Sequence, residues 1–72
     1  MSKDAGRFIV ALLEFVIDLK TNQILMMKAF ASFPWEDERM RHDLRASLAR
    51  QETTLEHAEK LLSDLKAFLE RE

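Results

Sequence analysis

Cysteine and tyrosine are both missing from these 72 residues, and glycine and proline occur once each. Without cysteine there is no disulfide framework and no thiolate chemistry, a composition that suits a reducing compartment. With a single glycine and a single proline there is too little turn chemistry for a sheet protein, so the chain reads as long helices. Charge of one sign is lacking as well. Residues 1–33 carry four basic and three acidic side chains and residues 34–72 carry seven and ten, which is too balanced to announce a nucleic acid or an anionic membrane.

An uninterrupted apolar run is the next absence. Asp4 precedes the stretch Phe8 to Leu13, Glu14 and Asp18 break it, and the small pair Ala5-Gly6 stands before it, so the pattern of a secretory signal is not met. No window of about 20 residues escapes Glu14, Asp18, Lys20, Gln23 or Lys28, which argues against a membrane span. The expectation is a cytoplasmic protein with no membrane partner.

What is present is helical periodicity. From Phe8 to Phe33 two apolar seams run side by side: Ile9, Leu12, Val16, Leu19, Met26, Phe30 and Phe33, and next to them Val10, Leu13, Ile17, Ile24, Met27 and Ala31. After Pro34 one main seam continues, through Met40, Leu44, Leu48, Leu55, Leu62, Leu65 and Leu69. With Gln51 and Ala58 included, Leu44 to Leu69 follows an alternating four-three spacing, the coiled-coil pattern of left-handed helix packing. Ser2 or Asp4 is suited to cap a first helix. Proline disfavours the helical conformation at Phe33 and is itself suited to a first helical turn. The chain therefore reads as one all-α domain over 1–72: helix 1 over about 3–32, a turn at 33–34, and helix 2 over about 35–70, folded as an antiparallel hairpin.

One narrow seam on helix 2 is too small to cover two on helix 1. The hairpin is therefore expected to self-associate into a four-helix bundle, as a homodimer or against another helical protein. Val10, Leu13, Ile17, Ile24 and Met27 are the expected contact between chains or shared core. With the turn at Phe33 to Trp35, Gln23 falls opposite Ser47, and Gln51 falls opposite Leu19. Gln23, Ser47 and Gln51 would then either form an interior polar layer that fixes register or reach out to solvent one by one. Met26, Met27, Phe30, Phe33 and Trp35 cluster at the hairpin end, either as a plug or as an adaptable docking surface, with Trp35 expected to be partly exposed.

Chemistry-bearing constellations are scarce. A di-iron bundle needs Glu-x-x-His, yet Arg39 stands three residues before His42 and Thr54 three before His57. Glu38 and His42 share a helix face without further ligands. Thr53 lies within reach of His57, but no third group orients the ring. No catalytic, metal or cofactor site is expected, and the functional expectation is a non-enzymatic protein–protein interaction module serving as scaffold, adaptor or small regulator. Two alternatives stand beside it: a nucleic-acid-binding dimer using Arg39, Arg41, Arg45 and Arg50, and an obligate subunit of a hetero-complex.

Overall fold

The computed structural model describes residues 2–71. Two helices, α1 (Lys3–Ala31) and α2 (Glu38–Glu70), pack against each other as a hairpin, and no strand occurs among the described residues. The Cα atoms span 54 × 14 × 12 Å, and their radius of gyration is 16.5 Å. A compact domain of this length would have a radius of about 11 Å. The molecule is a rod two helices thick. No helix among the described residues is long and apolar enough to cross a membrane.

Each helix begins on a side-chain cap. Ser2 Oγ accepts a hydrogen bond from the Ala5 amide at 3.1 Å, which occupies one of the first-turn donors that no carbonyl can reach. At α2 the Asp37 carboxylate accepts from the amides of Arg39 and Met40 at 3.0 and 3.2 Å. Helix 2 consequently starts three residues later than the sequence suggested, and Pro34 lies in the connection rather than in a helical turn. The reason is chemical. A helix beginning at Pro34 would be capped by Phe33, which offers no acceptor, whereas Asp37 offers a charged one.

The connection Ser32–Asp37 is held by Trp35. Its amide donates to the Phe33 carbonyl and its indole Nε1 to the Phe30 carbonyl, both at 2.8 Å. Its ring lies tilted against Phe30 and Phe33, with centroids 4.7 and 4.8 Å apart. The aromatic cluster therefore closes the hairpin end. Trp35 is half-buried within it, while Phe30, Phe33 and Met26 are at least half exposed.

Between the helices, an unbroken four-three spacing on α1 meets the one on α2. Gly6, Val10, Leu13, Ile17, Lys20, Ile24, Met27 and Ala31 are the buried and half-buried positions that turn toward α2. On α2 the half-buried Leu44, Leu48, Gln51, Leu55, Ala58, Leu62, Leu65 and Leu69 answer them. At the open end the helices approach so closely that a Cβ on Gly6 would lie 2.6 Å from Leu69 Cδ2. Ile24, 5% exposed, is the single hydrophobic side chain that the hairpin buries among the described residues.

Candidate association face

The rod has two unlike flanks. Glu14, Thr21 and Lys28 recur every seven residues along one edge of α1, and Glu52, Glu59 and Lys66 do so along α2. These edges meet, with Lys66 Nζ 3.3 Å from Glu14 and Lys28 Nζ 3.9 Å from Glu52. All four side chains are roughly half exposed, so each pair contributes at most about 1 kcal/mol. Their effect is to keep this flank wet.

The other flank is apolar. Leu12, Leu19 and Met26 recur every seven residues on α1, with Phe8 and Phe15 beside them, and Phe33 continues the spacing into the connection. Their exposures run from 51% at Leu12 to 73% at Met26. On α2, Met40, Leu61 and Phe68 occupy the matching sevenfold positions and are 41–58% exposed. Near the loop this flank forms an open groove of about 490 Å³, lined by Leu19, Asn22, Gln23, Met26, Met27 and Phe30 of α1 and Leu44 of α2. Near the termini it carries the protruding rings of Phe8, Phe15 and Phe68.

Val10, Leu13, Ile17, Ile24 and Met27, assigned to the contact between chains or a shared core, face α2 within one hairpin, where Ile24 is buried and the others half-buried. The face left open is that of Leu12, Leu19, Met26, Phe30 and Phe33. Two residues decide this choice. Gly6 permits the close approach to Leu69, and Lys20 completes the four-three spacing that α2 matches. A lysine between Ile17 and Ile24 reads in a sequence as a break in a seam. Only the unbroken spacing from Gly6 to Ala31 identifies it as an interior position.

The polar layer is also differently built. Lys20 Nζ donates to Gln51 Oε1 at 2.6 Å and to Gln23 Oε1 at 3.1 Å. Gln51 is half-buried, as expected of an interior position, but Gln23 is exposed at the rim. Ser47 is half-buried and takes no part in these hydrogen bonds. Gln51 meets Lys20, the residue next to the expected Leu19.

The remaining candidates are surface features. Arg41 and Arg45 line one shallow depression with Glu38 and His42, and Arg41 is engaged by Glu38 at 3.8 Å. Arg39 and Arg50, eleven residues apart, share a different face of α2, so the four arginines form two pairs rather than one stripe. The hydroxyls of Thr21, Thr53 and Thr54 each donate to the carbonyl four residues earlier in their own helix. No group of three or more histidine, aspartate or glutamate side chains placed to hold a metal occurs among the described residues.

No protein-family model matches this chain, and no curated protein or solved structure does either.

Proposed function

We propose that this chain is a non-enzymatic association module, a helical hairpin that works by packing its open α1 face against a second copy to form a four-helix bundle. The observation that carries the reading is area. The hairpin exposes 5867 Å². A folded monomer of 8.5 kDa would expose about 4,700 Å². The excess of about 1,200 Å² per chain exceeds the roughly 800 Å² that each partner buries in a standard interface and falls in the range of obligate homodimers. Apart from Leu25, the exposed large apolar side chains lie on or beside a single flank, whereas monomeric proteins rarely leave a large contiguous apolar patch in water.

Nothing in this reading requires chemistry at the face. Scaffolding, adaptor and regulatory roles all follow from presenting the outward, charged sides of a bundle to other molecules. The test is the substitution Leu19→Glu, at the middle of the open seam. It leaves the α2-facing seam untouched and places a charge at the centre of the contact. The expected result is loss of the assembled mass together with a fall in helicity. An unchanged mass would assign the contact to another face.

A further inference from the structure

We infer that the two hairpins of the assembly lie antiparallel, the loop end of each seated on the open end of the other; this rests on the association reading above. Both shape and charge point the same way. The groove lined by Leu19, Met26, Phe30 and Leu44 lies toward the loop end of the apolar flank. Exposed rings on and beside that flank, Phe8 at 67% and Phe68 at 46%, lie toward the termini. An antiparallel pair sets projections of one copy into the groove of the other, twice, as a two-fold isologous contact requires. It brings the level of Phe8 to that of Phe30 and the level of Leu12 to that of Met26, with Leu19 near the axis. A parallel pair would set groove against groove and ring against ring.

Charge divides along the same axis. Residues 20–55, which make up the loop half, hold six basic and five acidic side chains, a net of +1. Residues 2–19 and 56–71, which make up the open half, hold five basic and seven acidic, a net of −2. Antiparallel packing lays each half against its opposite. Parallel packing lays the two acidic halves together, a like-charge juxtaposition that complementary interfaces avoid.

The chain has no cysteine, so a single introduced thiol is a unique labelling site. Spin labels on Glu36→Cys mark the loop, and labels on Lys3→Cys mark the open end. Pulsed dipolar spectroscopy on each labelled protein reads only distances between copies. For Glu36→Cys alone the antiparallel arrangement gives a separation approaching the 54 Å length of the rod. An equimolar mixture of the two labelled proteins adds a short distance, roughly 20 Å, set by the spacing of adjacent helices. A short distance for Glu36→Cys alone, and a long one between the two labels in the mixture, would overturn the antiparallel arrangement while leaving association intact. Absence of any coupling, in a sample whose mass is that of one chain, would overturn the association reading and this inference together.

Discussion

Three consecutive residues separate the environments of α1. Ile24 is buried against α2, Leu25 is 58% exposed beside the charged flank, and Met26 is 73% exposed on the apolar flank. An isolated hairpin would make truncation at Ile24 costly and truncation at either neighbour nearly neutral. Association changes only the last of these. Ile24→Ala is expected to cost about 2–5 kcal/mol, as for other large-to-small changes in packed sites. Leu25→Ala is expected within about 0.5 kcal/mol of the parent, as for other surface substitutions. Met26→Ala is expected to cost about 1–3 kcal/mol, because its side chain leaves water only when a second copy covers it. Chemical denaturation of the three variants at one protein concentration measures all three values. A neutral Met26→Ala would mean that this side chain stays in solvent.

At the scale of the helix, the notable element is the lysine inside the α1 seam. Lys20 interrupts a row of branched and linear aliphatics, and Gln51 supplies its partner across the hairpin at 2.6 Å. A lone polar residue in a heptad seam lowers stability while penalising slipped registers, since a shift of one heptad would set its ammonium against Leu44 or Ala58. Lys20→Met should therefore raise the melting temperature of the hairpin and allow α2 to slide. Thermal unfolding followed by circular dichroism reads the first effect, and doubling of amide resonances near Gln51 reads the second. A lower melting temperature with a single set of resonances would show that the Lys20–Gln51 hydrogen bond is a net source of stability.

The helices themselves were legible from spacing, and α1 ends within one residue of the expected position. The start of α2 was not, because proline chemistry and aspartate capping both propose a boundary within four residues, and the charged acceptor at Asp37 decides between them. The candidate face was half legible. Two seams on α1 are plain in the sequence, but which one α2 takes depends on Gly6 and Lys20, residues whose types say nothing apolar.

For the whole molecule, the balance is between a rod that buries little and a face that remains open. With one buried hydrophobic side chain among the described residues, the hairpin leaves most of its apolar side chains in partial contact with water. Two such rods joined along their apolar flanks would have the core that one lacks, with the Glu14–Lys66 and Lys28–Glu52 flanks turned outward. Folding and assembly are then one transition, and stability rises with protein concentration by mass action. The measurement that tests this most directly is the mass of the unmodified chain in solution, by light scattering coupled to size exclusion. The expected mass is twice the 8.5 kDa of one chain. A mass of 8.5 kDa in a sample whose circular dichroism shows the full helical content would contradict it.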